Sequence, residues 1–366
     1  MTTITCIEDL RVLAKKRVPR MFYDYADAGS WTESTYRANS DDFQQIKFRQ
    51  RIAVNLVDRS LRSTMVGLPV RMPVALAPTG LTGMQHADGE ILAAKAAEKF
   101  GVPFTLSTMS ICSIEDVAAN TEKPFWFQLY VMKDRAFIER LIDRAKAANC
   151  SALVLTFDLQ VLGQRHKDIR NGLSAPPKPT IANILNLMTK PRWCLGMLGT
   201  RRRGFGNIVG HTTGVADVSS LSEWIGKQFD LSLSWADIEW VKKRWGGKLI
   251  VKGIMDPEDA RLAVASGADA IVVSNHGGRQ HQRHGRWLAQ NRGRGIALGD
   301  VDQDALAELD RLHVLAVGAQ RFLGIGAAVA IIEERLRHAA LMQCAKIVDT
   351  GDVLHERFPA RLASED

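Results

Sequence analysis

The sequence predicts a TIM-type (β/α)8 barrel. From about residue 70 onward six short runs are apolar on both faces, helical patterns separate them, and polar or reactive side chains stand at their C-terminal ends. Strands buried on both faces belong to parallel sheets covered by helices. Six such units in succession favour a closed barrel over an open sheet. The 366 residues fit one barrel of about 250 residues with insertions, so residues 1–366 are read as a single barrel domain.

An N-terminal helical segment, residues 1–40, comes first and is expected to cover the barrel rim. Residues 73–77 form the first strand and 89–100 the helix behind it. The second strand is 103–106, followed by a short helix near 114–119. The third is 125–130, followed by the amphipathic stretch 134–148. Residues 152–157 are the fourth strand, 248–252 the fifth and 270–274 the sixth, with 257–266 helical between the last two. A long loop insertion, residues 159–234, separates the fourth and fifth units. The tail, residues 281–366, carries helical patterns at 302–312 and from about 327 to 341, and one strand-like run at 313–317. Eight-stranded closure needs two strands there, so the last two β/α units are expected to be atypical or incomplete.

Composition narrows the class. With 46% apolar and 24% charged residues the chain is ordinary globular protein, which excludes disorder, collagen-like repeats and a disulfide scaffold. The five cysteines form no C-x-x-C pair, so no metal site or redox motif is expected, and a reducing compartment fits. Residues 1–11 contain Glu8 and Asp9 and no apolar h-region, unlike a signal peptide. No stretch reaches the roughly 20 apolar residues that span a bilayer. A cytoplasmic protein is expected, with any membrane contact peripheral, on the inner face.

The insertion suggests such a contact. Lys178, Lys190, Arg192, Arg201, Arg202 and Arg203 occur in residues 178–203 without an acidic residue, among Ile181, Ile184, Leu185, Leu187, Met188, Trp193, Leu195 and Met197. Apolar burial and attraction to anionic lipid add together in an interfacial anchor of this kind. An active-site loop with a solvated basic face has the same composition. The basic tract 279–294 has no aromatic beyond Trp287 and reads as a solvated loop, so no nucleic acid is expected.

The chemistry gathers where strands end: Thr79, Ser107, Gln128 with Tyr130, Thr156 with Asp158, Lys252, and Ser274-Asn275-His276. In a (β/α) barrel the loops after the strands converge at that rim. The string Ser274-Asn275-His276-Gly277-Gly278-Arg279-Gln280 is the most informative. Its glycines let backbone approach a flat ligand, His276 can take a proton near neutral pH, and Arg279 offers a planar fork to a carboxylate. Taken one at a time, each residue has a plainer reading. Tyr25 and Tyr130 fit a core, Lys252 and Asp158 a buried ion pair, and Arg165 a solvated Arg-His-Lys-Asp run.

Seven segments in order carry a resemblance: Phe22-Tyr23-Asp24-Tyr25 with Gly29; Ala77-Pro78-Thr79-Gly80 with Gly83-Met84; Leu106-Ser107-Thr108-Met109-Ser110; Trp126-Phe127-Gln128-Leu129-Tyr130; Thr156-Phe157-Asp158 with Gly163 and Arg165; Leu249-Ile250-Val251-Lys252-Gly253; and the His276 string. Over residues 5–280 the chain resembles the FMN-dependent 2-hydroxy acid dehydrogenase/oxidase family, and within it the bacterial quinone-linked L-lactate dehydrogenases. The resemblance implies FMN as cofactor, a small 2-hydroxy acid as substrate, a quinone or respiratory-chain acceptor and a homotetramer. It implies His276 as the base, with Asp158 stabilising the imidazolium. Arg165 and Arg279 would hold the substrate carboxylate, and Tyr25 and Tyr130 would hydrogen-bond the substrate. Lys252 would stand at the flavin N1 and O2 side, and Ser107, Gln128, Thr156 and backbone near Thr79 would meet the ring edge. An oxygen-using glycolate- or mandelate-type oxidase shares these residues.

The resemblance stops after Gln280. The family's Leu-Asp-Gly run, its Asp-Gly-Gly or Asp-Ser-Gly strand end and its later Gly-Arg pair bind the FMN phosphate, and none is found in residues 281–366. Gly318, Gly324 and Gly326 ahead of a helical pattern are a weak substitute. So sharp a break is what a frameshifted or recombined coding sequence would produce, and it predicts poor packing of the tail. A tail that rebuilds the site, or a non-catalytic barrel without flavin, are the other readings.

Overall fold

The computed structural model describes residues 3–45, 52–160, 163–173, 180–211, 228, 230–279, 313–316 and 328–332. A hairpin, β1 (Ser63–Met65) and β2 (Leu68–Val70), precedes one eight-stranded sheet. That sheet contains β3 (Val74–Leu76), β4 (Thr105–Ser107), β5 (Trp126–Tyr130), β6 (Ala152–Thr156), β7 (Lys248–Ile254), β8 (Ala270–Val273), β9 (His313–Ala316) and β10 (Ala328–Ile332). The strand order is β3-β10-β9-β8-β7-β6-β5-β4. The two ends meet through a parallel bridge between Leu76 and Phe104 and the Leu76 N–H to Pro103 carbonyl bond of 2.8 Å, so the sheet is a ring. The fold is the expected TIM barrel.

Strands β4 to β9 run parallel, whereas β10 is antiparallel to both β9 and β3. The seventh strand lies where the strand-like run 313–317 placed it. The eighth, β10, replaces the start of the helix read from residue 327. Ala328-Val-Ala-Ile-Ile332 is a short apolar run, which periodicity cannot divide between strand and buried helix. Residues 317–327 alone connect β9 to β10, fewer than the dozen or more that a parallel crossover needs, so the short connection reverses direction. The helical pattern at 302–312 and the glycines Gly318, Gly324 and Gly326 lie outside the described residues. So does the packing of the tail beyond these two strands.

Helices cover the ring: α4 (Thr82–Gln85), α5 (Gly89–Phe100), α6 (Ile114–Ala118), α7 (Arg135–Ala147), α8 (His166–Arg170), α9 (Ile181–Met188), α10 (Pro191–Gly199), α11 (Trp235–Trp245) and α12 (Pro257–Ala265). The N-terminal helices α1 (Ile7–Arg17), α2 (Arg20–Ala26) and α3 (Ser34–Asp41) lie over the rim. Their connection docks there through Ser30 N–H to Gly278 O and Trp31 N–H to Gln164 O.

Strand alternation sorts the core into two layers. Leu106, Phe127, Leu129, Leu153, Leu155, Leu249, Val251 and Ile271 face outward against α5, α6, α7 and α11, meeting Ile91, Val117, Phe137, Ile138, Leu141 and Ile238. Ala75, Trp126, Ala152, Val154, Ile250, Ala270 and Val272 fill the interior, and Met65, Val66 and Val70 of the hairpin plug its lower end. The same period of two sends Ser107, Gln128, Thr156 and Lys252 inward at the upper end.

Candidate active site

The inner wall carries a run of hydrogen bonds from strand to strand. Ser107 Oγ donates to Gln128 Oε1 at 3.0 Å, and Gln128 Nε2 donates to Thr156 Oγ1 at 3.1 Å. Thr156 is in register with Lys252 on β7, and all four residues are buried. Thr79, at the end of β3, lines a small cavity together with Ser107.

His276 follows β8 with φ +56°, and Gly277 and Gly278 continue in the left-handed region at +69° and +72°. A Cβ on Gly278 would lie 2.5 Å from the Tyr36 nitrogen, so glycine is needed both for its dihedral and for the approach of α3. Asn275 and Asn39 exchange side-chain hydrogen bonds of 2.7 and 3.1 Å, tying the string to α3. The resulting turn aims His276 Nδ1 at Asp158 Oδ1, 2.8 Å away. Lys252 Nζ lies 3.8 Å from Asp158 Oδ2 and 3.5 Å from His276 Nδ1.

Electrostatics assigns states to this triad. Burial opposes the Asp158 charge, yet His276 and Lys252 beside it hold the carboxyl down at about 2. Burial also lowers His276 and Lys252, and Asp158 pulls against it in both cases without reversing it. His276 is therefore neutral at pH 7. With its Nδ1–H donated to Asp158, Nε2 is left with a free lone pair, a tautomer assigned from this hydrogen bond.

A second cluster lies under the N-terminal helices. Arg165 lies over the Tyr25 ring at 4.6 Å, donates to the Tyr25 carbonyl and pairs with Asp168 Oδ2 at 3.1 Å. Arg279 donates to the Ala26 carbonyl and to the His276 carbonyl at 3.3 Å. Burial and the neighbouring Arg165 charge bring Arg279 down to about 10, so it stays charged at neutral pH. Burial pushes Asp168 up despite Arg165 and Arg279. Tyr130 is pushed well up by burial and by Tyr25 and Asp158, which keeps its phenol a donor.

Thr79, Ser107, Gln128, Tyr130, Thr156, Asp158, Lys252, His276 and Arg279 thus stand at the upper end of the barrel, with Tyr25 and Arg165 closing over them. The Arg165-His166-Lys167-Asp168 run is not the solvated face that its charges suggest. The Arg165 and Asp168 side chains are only 16% and 12% exposed. Sequence reasoning missed Asp168 and the Asn39–Asn275 pair. An acid three residues after a rim arginine on a short helix was the available sign.

The family model for FMN-dependent dehydrogenases matches residues 14–285. The chain belongs to that family. It is 40% identical over 383 aligned residues to an L-lactate dehydrogenase of Ectopseudomonas mendocina (strain ymp), covering 96% of this chain and 98% of the relative. An L-lactate dehydrogenase of Acinetobacter baylyi (strain ATCC 33305 / BD413 / ADP1) is 46% identical over 282 residues, 76% of this chain and 72% of its own. Among solved structures, the monotopic membrane protein (S)-mandelate dehydrogenase superposes with a TM-score of 0.75 at 30% identity, covering 95% of this chain and 94% of its own.

The cofactor of this FMN-dependent dehydrogenase is FMN, and the rim is chemically suited to it. Lys252 is a buried ammonium whose carboxylate partner is 3.8 Å away, which leaves N–H donors to spare. Gln128 has a second amide N–H, and the Thr156 hydroxyl proton is available because its oxygen is the acceptor in the bond from Gln128. A row of donors on the wall of an apolar barrel matches the carbonyl and nitrogen edge of an isoalloxazine ring. Residues 281–312, where the family's phosphate strings begin, lie outside the described residues.

Proposed function

We propose that this enzyme oxidises an L-2-hydroxy acid, L-lactate to pyruvate, with a quinone as the final electron acceptor. The observation that carries the reading is His276 held through Nδ1 by the buried Asp158, with the His276 backbone carbonyl accepting from Arg279. FMN, when bound, supplies the two-electron acceptor.

Arg165 and Arg279 bring two guanidiniums to the rim beside Asp168 and Tyr25, and a substrate carboxylate is the anion they would hold. Guanidinium forks suit it geometrically. Tyr25 and Tyr130 hydrogen-bond the substrate. His276 Nε2 takes the proton of the hydroxyl or of the α-carbon, and the Asp158 charge steadies the imidazolium that forms. Lys252 would place a positive charge at the N1 and O2 side of the ring, while Ser107, Gln128, Thr156 and backbone near Thr79 would orient its edge. A Cβ at Gly80 would lie 2.9 Å from the Tyr25 hydroxyl and 3.3 Å from Met109 Cβ. The space over Gly80 is therefore narrow, which suits a methyl side chain such as that of lactate.

The quinone acceptor is supported by α9 and α10. Ile181, Ile184, Leu185 and Met188 form an i, i+3, i+4, i+7 stripe that is 55–77% exposed, while Asn183 of the same helix is buried and donates to the Asn171 carbonyl. Leu195 and Leu198 extend the apolar surface, and Arg192, Arg201 and Arg203 are exposed around it. A helix pair with its apolar face outward and arginines at its edge is built to rest on anionic lipid. No helix among the described residues is long and apolar enough to cross a membrane.

The test is a paired assay with the purified holoenzyme. L-Lactate is expected to reduce a quinone analogue with stoichiometric pyruvate and little peroxide in air. Peroxide as the main product would assign oxygen as acceptor, and no turnover of any 2-hydroxy acid would overturn the reading.

A further inference from the structure

Glu90 is almost fully buried in the first turn of α5, with only 2% of its surface exposed, and no step above uses it. Its Oε1 accepts the Gly83 N–H at 2.9 Å and the Ile111 N–H at 3.0 Å. Those amides belong to two different segments. Residues 77–83 follow β3 and carry Thr79 and Gly80, and residues 108–112 follow β4 and carry Met109. One oxygen therefore holds both rim loops to one helix.

The loops touch closely where Glu90 joins them. The Leu81 N–H donates to the Met109 carbonyl at 3.0 Å, and Met109 N–H donates to Ser107 Oγ at 3.1 Å. A Cβ at Gly83 would lie 2.6 Å from Ile111 Cβ and 2.9 Å from Glu90 Oε2. A few residues away the same two loops face each other as Gly80 and Met109, beside the Tyr25 hydroxyl. The separation of these loops sets how closely Met109 and Gly80 approach each other beside the Tyr25 hydroxyl, which the proposed function places against the substrate. Buried amides that lose a shared acceptor carry a desolvation cost, which favours a wider spacing of the two loops about their Leu81–Met109 bond.

We infer that Glu90 is a positioning residue for substrate selection: by clamping Gly83 and Ile111 it sets the Gly80–Met109 spacing and thereby limits the length of the 2-hydroxy acid side chain. The inference rests on the reading of the rim as a 2-hydroxy acid site. Selection is separated from fold stability by a ratio of two substrates.

The ratio of kcat/KM for L-2-hydroxybutyrate to that for L-lactate does not depend on how much of a preparation is active. In Glu90→Ala this ratio is expected to rise roughly ten-fold, the lower end of the range one methylene is worth in a pocket. Glu90→Gln keeps a carbonyl oxygen for both amides and is expected to stay within about two-fold of the parent. Gly83→Ala, with Glu90 intact, pushes Ile111 away sterically and is expected to shift the ratio in the same direction, which keeps the test open should Glu90→Ala fail to fold. The same selectivity read from the dissociation constants of 2-oxobutyrate and pyruvate, through the flavin spectrum, needs no turnover. Unchanged ratios in Glu90→Ala and Gly83→Ala, with only a lower melting temperature, would overturn the clamp. Absent turnover of both acids by the parent protein would overturn the proposed reaction while the binding ratios still judged the clamp.

Discussion

His276 concentrates the chemistry of the rim in one side chain, and its backbone shows how it was placed there. A non-glycine residue at φ +56° is uncommon, and here it is followed by two glycines whose dihedrals let the chain turn back under α3. Replacing it by glutamine removes the proposed base and keeps a hydrogen-bonding group. His276→Gln is expected to lower kcat by roughly 10²–10⁴-fold, the usual contribution of a positioned general base, with pyruvate binding nearly intact in a flavin-perturbation titration. Retained turnover would remove His276 from that role. Arg165 is proposed to hold the substrate carboxylate. In Arg165→Met the KM for L-lactate and the dissociation constant of pyruvate are expected to rise together by about ten-fold or more, as loss of a charge-assisted hydrogen bond implies; unchanged pyruvate affinity would refute it. The strand-end residues were legible because period-two alternation and the rim rule together name an inward residue at each strand end. Asp168 and Glu90 were not legible. A charged tetrapeptide and an acid in the first turn of a helix look solvated in sequence, and only tertiary burial turns them into ligands of other groups.

At the scale of elements, the parallel strands could be read from sequence because each is a doubly apolar run followed by a helical pattern. The exception, β10, shows the limit: Ala328–Ile332 has the apolar content of either a strand or a buried helix, and its direction is decided by the shortness of residues 317–327. The insertion was legible as basic and apolar. Its helical stripe became visible only when Asn183 proved to face inward and Ile184 and Leu185 outward. Burying one such side chain in an apolar phase contributes about 1.5–3 kcal/mol. Ile184→Asp with Leu185→Asp should therefore weaken sedimentation with anionic vesicles by at least roughly ten-fold while dye-linked oxidation in solution stays unchanged. Undiminished sedimentation would discard α9 as the docking surface.

The whole molecule joins a basic chain, net +8, to a ring whose upper end is a donor-rich wall under an N-terminal cap. The parts meet through bonds from both sides. Ser30, Trp31 and Asn39 tie the cap to Gly278, Gln164 and Asn275, while the Arg165 and Arg279 guanidiniums bond the carbonyls of Tyr25 and Ala26. The groups of the candidate site thus come from the N-terminal cap and from the upper end of the barrel, and cap and barrel must close together for the site to exist. This rim is proposed to hold flavin and to reduce it with a 2-hydroxy acid. The most direct measurement is the visible absorption spectrum of the purified protein, with its flavin-to-protein ratio, before and after anaerobic addition of L-lactate and, separately, of D-lactate. Flavin bands near one equivalent that bleach with the L-isomer alone are the predicted result. A colourless protein that FMN cannot reconstitute, or a bound flavin that L-lactate leaves oxidised, would contradict it.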